Sequence, residues 1–217
     1  MVVETRISGE LGVIVINNPP ANFLTVEVFH GLKDEFEQLQ KNDEIKDIIF
    51  YAEGPSFSAG ADVNAIFDLI KSGAREKVKE TIWGLHEFFL AVDNSPKPTI
   101  AAVNGYCLGG GLELALVCDY ILAVPSATFG FPEVGLGIIP GLGGTQRFPR
   151  KVGVKEATRL IMSARQIPAE KALEIGLVDR VIPGDFIEGI RDFISEVESG
   201  GVKTKECPAL NPADADM

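Results

Sequence analysis

Basic charge is scarce in this chain: 20 Lys and Arg stand against 31 Asp and Glu, a formal net charge of −11 at pH 7. That disfavours a general nucleic-acid binder, because neutralising phosphates requires a surplus of cations. Any phosphate-bearing ligand must be held by local contacts instead. Cysteine is equally sparse. Cys107, Cys118 and Cys207 show no C-x-x-C spacing and sit among apolar or terminal residues. Neither a disulfide framework nor a zinc site is indicated, and reduced thiols in a cytoplasm are expected. No apolar run approaches the length that spans a bilayer, and the N-terminus MVVETRISGELGVIVINN carries acidic residues early without a cleavable apolar stretch. A soluble, uncleaved protein with no membrane partner is the expectation.

Several chemistries are missing as well. The two histidines, His30 and His86, fall on predicted helices without a partnered Ser or Cys motif, so a nucleophilic triad is disfavoured. Nothing reads as G-x-S-x-G or a Walker loop, and no His, Cys and carboxylate cluster has metal-ligand spacing. No metal is expected.

What is present is alternation. With 217 residues, 46% of them hydrophobic, the chain can bury a sizeable core in one domain. Gly12 to Ile16 reads as a strand stopped at Asn17-Asn18-Pro19-Pro20. Thr25 is placed to cap a helix in which Phe29, Leu32, Phe36 and Leu39 recur on one face. Asp47 to Ala52, Thr99 to Val103 and Tyr120 to Val124 are short apolar runs of the kind buried on both faces of a parallel sheet. Between the first two, Val78, Ile82, Leu85, Phe89 and Val92 form a helical stripe; Trp83 and its aromatic neighbours suit core packing or the lining of an acyl pocket. Ala169 to Ile175 reads as helix, Val178 to Ile182 as extended chain and Phe186 to Val197 as helix again. The pattern implies an α/β fold. Residues 1–198 form the expected domain, and 199–217 a loose polar tail ending KTKECPALNPADADM.

Three segments carry the candidate chemistry. In IAAVNGYCLGGGLELALVCDY, Ile100 to Tyr120, a buried strand leads to Gly109-Gly110-Gly111 at the start of an apolar helix. Bare glycines there let a ligand reach backbone N–H groups that lack intrahelical partners, a setting that favours negative charge. Close helix packing is the other use of such glycines. The second segment, FGFPEVGLGIIPGLGGTQR, sets Glu133 beside a Gly- and Pro-rich loop, where a lone carboxylate is ordinarily solvated. If Glu113 and Glu133 face one another across a pocket, burial and mutual repulsion raise at least one pKa and separate acid from base. The third, GPSFSAGAD from Gly54 to Asp62, offers backbone donors at a strand-to-helix turn, or simply a tight turn.

Taken in this order, the three segments resemble the crotonase family, also called the enoyl-CoA hydratase/isomerase family, from the first strand to about Pro183. Ile100 to Tyr120 is similar to the family's signature throughout, including the glycine triplet and Cys118-Asp119. The resemblance implies a spiral of repeated ββα units, assembly into trimers or hexamers, and a coenzyme A thioester whose carbonyl lies between two backbone N–H groups. By motif position those donors are Ala61 and Gly110. The coenzyme A pocket falls on Ser58, Ala59, Gly60, Asp62 and Val63, with Ala21 to Leu24 nearby. Glu113 and Glu133 match the two carboxylates of the hydratases. The implied reaction is reversible addition of water to a 2-enoyl-CoA, giving a 3-hydroxyacyl-CoA. Glu113 activates the water and Glu133 delivers a proton to the α-carbon; coenzyme A belongs to the substrate and no separate cofactor is needed. A double-bond isomerase and a non-catalytic acyl-CoA-binding subunit are the rival readings. The family normally continues into further C-terminal helices, so a shortened helical region and a weakened oligomer are expected. The variable region Asn64 to Thr81 leaves acyl length unread.

Overall fold

The computed structural model describes residues 1–63, 71, 73 and 75–202. The region from Asn64 to residue 74 (apart from 71 and 73), Cys207 and the rest of the tail beyond Val202 lie outside the described residues, as does the side chain of Val78.

Two strands open the chain, the second expected from its apolar run and the first missed. β1 (Val3–Ser8) pairs antiparallel with β2 (Leu11–Ile16) through a turn at Gly9, whose φ is 64°. β1 escapes a hydrophobicity pattern because only Val3 is buried along it, while Glu4 and Arg6 face outward and bond one another. α1 (Val26–Lys41) then starts at Thr25, whose hydroxyl accepts the Val28 amide at 3.2 Å, and it buries Val28, Phe29, Leu32, Phe36 and Leu39. The expected cap and stripe are both realised.

From there each turn of the chain repeats one plan. A long buried strand enters one sheet, a short strand enters a second, and a helix or helical turn leads back. β3 (Asp47–Ala52) is followed by β4 (Ser56–Ser58), and α2 (Arg75–Asp93) returns the chain. β5 (Thr99–Val103) is followed by β6 (Tyr106–Leu108) and α3 (Gly110–Leu116). β7 (Tyr120–Ala123) is followed by β8 (Thr128–Gly130) and a 3-10 turn at Glu133–Leu136. The long strands stack in parallel as β2-β3-β5-β7, with β10 (Arg180–Val181) beyond, and the short ones as β4-β6-β8, closed by β9 (Ile167–Pro168) antiparallel to β8. This is the crotonase-like spiral of ββα units. The stretch expected to be extended from Val178 to Ile182 narrows to the two residues of β10.

α4 (Gly144–Val152), α5 (Val154–Ser163) and α6 (Ala169–Glu174) follow the third turn. α7 (Phe186–Glu198) covers the outer face of the large sheet, where Ile190, Phe193 and Ile194 pack against Ile49, Ile100, Ala102, Tyr120 and Leu122. Each such side chain contributes roughly 1.5–3 kcal/mol by leaving water. The main core lies on the opposite face, between the two sheets and α1, and includes Phe88 and Phe89 of α2. Trp83 is in neither place: it is 66% exposed and its indole donates to Glu87 on the next turn of the same helix. No helix among the described residues is long and apolar enough to cross a membrane.

The crossing from the large sheet to the small one needs a bare backbone at Gly105, where a Cβ would drive into the Pro55 carbonyl. Gly105→Ala should therefore cost about 2–3 kcal/mol through overpacking that neither backbone can relieve. Calorimetry should show a melting temperature lower by about 5–10 °C. Gly135→Ala, whose Cβ would meet nothing within 4 Å, should melt like the parent; equal melting of both variants contradicts the close crossing.

Candidate active site

The spiral places the ends of the short strands side by side. Leaving β4, the chain turns through Ala59 and Gly60 to Ala61; leaving β6, it turns through Gly109 into α3. These two turns touch backbone to backbone. Gly60 has φ +90°, and a Cβ on it would lie 2.9 Å from the Gly110 nitrogen and 3.0 Å from the Leu108 carbonyl oxygen. A Cβ on Gly110 would in turn lie 3.5 Å from the Ala61 nitrogen. The amides of Ala61 and Gly110 are thus neighbours. Gly110 is the first residue of its helix, where an amide has no intrahelical acceptor.

Glu113 follows one turn into α3 and is only 2% exposed. Its Oε1 accepts the Leu142 and Gly144 amides, each at 2.7 Å, from the loop that opens α4. Burial raises its pKa, while the Gly144 and Leu142 amides and the charge of Arg147 oppose that rise. Arg147 holds the same loop: it donates to the Leu142 carbonyl at 3.3 Å and pairs with Asp93 at 3.0 Å.

Glu133 begins the 3-10 turn after β8 and is 9% exposed. Its Oε2 is buried with no hydrogen-bond partner among the described residues. Burial pushes its pKa up to about 7; its own backbone amide pulls the other way, and the nearby Glu113 charge adds to the rise. Its carboxylate lies over Gly109, where a Cβ would come within 2.8 Å of Oε1. Two buried carboxylates therefore share one electrostatic environment with different support. One is gripped by two amides, the other is left dry.

The residues expected for the coenzyme A pocket lie at the end of β4 and on the turn after it. Ser58 is buried, its hydroxyl accepts the Gly60 amide at 3.1 Å, and Gly111 packs bare against its backbone; Asp62 and Val63 follow Ala61 and are half-buried. The Ala21–Leu24 segment bonds the loop directly, Ala59 donating to Ala21 at 2.8 Å and Leu24 to Gly60 at 2.9 Å. Sequence reasoning missed the grip of Leu142 and Gly144 on Glu113, because the donors are main-chain amides that no residue type marks. His30 is exposed and His86 half-buried, each on a helix as expected.

The stacked ββα spiral thus brings two neighbouring backbone amides and two unequally supported buried carboxylates into one region. Residues 6–197 match the family described as enoyl-CoA hydratase/isomerase, and the chain belongs to that family. It is 39% identical over 197 residues to a crotonyl-CoA hydratase of Syntrophomonas wolfei, covering 88% of this chain and 74% of that protein. It is 37% identical over 191 residues to a peroxisomal fatty acid beta-oxidation multifunctional protein of Arabidopsis thaliana, 88% of this chain. The chain spans only about a quarter of the length of that and similar multifunctional relatives, 26% in the Arabidopsis case. Among solved structures, an enoyl-CoA hydratase from Bacillus anthracis superposes with a TM-score of 0.81 at 34% identity, covering 92% of this chain and 77% of that one. One from Bacillus halodurans reaches 0.86 at 25% identity, covering 92% and 81%.

The raised pKa of Glu133 has a consequence for stability. The folded carboxyl holds its proton up to about pH 7, while the unfolded one releases it from about 4.5. The folded form therefore binds more protons between those values, and stability falls as pH rises through that window. Glu133→Gln, which cannot ionise, should gain on the parent by about 1–3 kcal/mol between pH 4.5 and pH 8 in denaturant titrations. A difference that does not change with pH contradicts the dry carboxyl.

Proposed function

We propose that this protein adds water reversibly across the double bond of a 2-enoyl-CoA thioester. The observation that carries the reading is the unequal support of Glu113 and Glu133, because a hydration needs a base and an acid at the same pH. In this reading the thioester carbonyl sits between the Ala61 and Gly110 amides. As the β-carbon takes up oxygen, negative charge moves onto that carbonyl, and each amide donor supplies about 3 kcal/mol to the enolate-like state. Glu113, held by the Leu142 and Gly144 amides, takes a proton from the attacking water. Glu133, protonated near neutrality, gives its proton to the α-carbon. Proton exchange with solvent resets the pair.

Ser58, Ala59, Gly60, Asp62 and Val63 line the approach for the coenzyme A portion, mainly through backbone. A reduced, cytoplasmic setting agrees with Cys107 and Cys118, both free, buried and with thiol pKa values pushed up by burial. Such thiols are poor nucleophiles and take no part in the reaction.

Incubation with a panel of short and medium 2-enoyl-CoA thioesters should consume the conjugated absorbance and give the 3-hydroxyacyl product by mass. Glu113→Gln and Glu133→Gln should each lower kcat by about a hundredfold or more, since each removes one proton transfer at nearly constant volume. Normal turnover in either folded variant contradicts the paired mechanism. Shifted double bonds without hydration replace it with isomerisation, and saturable binding without product replaces it with a binding subunit.

A further inference from the structure

We infer that Asn22 is the positioning residue that sets the Ala61 donor, an inference that rests on the thioester reading above. Asn22 is fully buried yet polar, and it holds a left-handed backbone with φ 48°. A buried amide in that conformation needs partners on every side. Its side chain has three. Oδ1 accepts the Asn18 amide at 2.8 Å, while Nδ2 donates to the Glu53 carbonyl at 2.8 Å and to the Ser56 carbonyl at 2.6 Å.

Those bonds join the turn after β2 to the chain on both sides of the entry into β4. The residues flanking Asn22 then grip the donor loop: Ala21 accepts the Ala59 amide at 2.8 Å, and Leu24 donates to the Gly60 carbonyl at 2.9 Å. Ala61 is the next residue. The Leu24 side chain also approaches Gly110, 3.5 Å from where a Cβ would stand, so the same short segment meets both halves of the donor pair. One side chain thus fixes 18–24 against 53–60, and the grip ends one residue short of the amide that faces the carbonyl. Nothing in Asn22 touches the thioester. Its influence runs through the placement of a backbone N–H, where an error of about 1 Å is enough to weaken catalysis by up to a hundredfold.

Asn22→Gly keeps the left-handed backbone accessible and deletes the amide; Asn22→Asp keeps the shape and the acceptor for Asn18 but lacks the paired donors, and it serves should the glycine variant not fold. The direct readout is the infrared carbonyl stretch of a saturated acyl-CoA bound to each protein, because a hydrogen-bonded carbonyl absorbs at lower frequency. The parent should lower that frequency. Both variants should recover part of the free value, and kcat for hydration should fall about ten- to a hundredfold with the affinity for the saturated thioester changed by less than about threefold. Ile194→Ala, a truncation on the far side of the large sheet, should reduce the melting temperature while leaving the bound carbonyl frequency unchanged. Variants that melt lower but keep the parent's carbonyl frequency and kcat overturn the inference and leave Asn22 a purely structural residue. A parent that neither lowers the frequency nor hydrates any thioester overturns the thioester reading itself, and this inference with it.

Discussion

The site depends on a close contact between two stretches of backbone, tightest at Gly60 and Gly111. Three consecutive glycines at the start of α3 each meet a different component: a Cβ at Gly109 would press on the Glu133 carboxylate, one at Gly110 would meet the Ala61 amide, and one at Gly111 would enter the Ser58 carbonyl. The opposing loop contributes Gly60, whose positive φ and close approach to the Gly110 nitrogen are both closed to other residues. Because these backbones touch, two amides that are 49 residues apart in sequence become neighbours. The same packing brings Glu113, three residues further on, beside the loop that grips it. The spiral makes this contact possible by stacking β4 directly on β6, so that the turns leaving successive short strands fall in one row.

Electrostatics then separates two carboxylates of the same type. Desolvation raises the pKa of both. What distinguishes them is the company each keeps: Glu113 receives two main-chain hydrogen bonds and lies near Arg147, whereas an oxygen of Glu133 has no partner among the described residues. An unpartnered buried oxygen is costly in most places and favours the protonated form. At this position it leaves a carboxylic acid able to give up a proton near neutral pH.

Much of this arrangement was legible beforehand, and the reasons differ from part to part. The long strands β3, β5 and β7 are buried on both faces, so continuous apolar runs reveal them; the edge strand β1, with most of its residues exposed to some degree, carries no such mark. Thr25 and the stripe from Phe29 to Leu39 identify α1 because capping and helical period are local rules. The glycine triplet signals a close approach but not what is approached. Neither the role of Leu142 and Gly144 as donors nor the burial of Asn22 could be read, since a backbone amide has no residue identity and an Asn beside Pro-Pro looks like any turn residue. The stacking of turns decides those contacts, and stacking is a property of the whole chain.

In the proposed reaction one site supplies oxygen to the β-carbon and a proton to the α-carbon of a conjugated thioester. The most direct measurement is turnover of a short 2-enoyl-CoA in water labelled with both ¹⁸O and deuterium, followed by NMR and mass analysis of the product at early times. Each product molecule should carry one ¹⁸O at the β-carbon and one deuterium at the α-carbon, with neither label incorporated when Glu113 and Glu133 are both changed to Gln. Deuterium at the α- or γ-carbon of an enoyl product without ¹⁸O, or the same labelling in the double variant, would contradict that reaction.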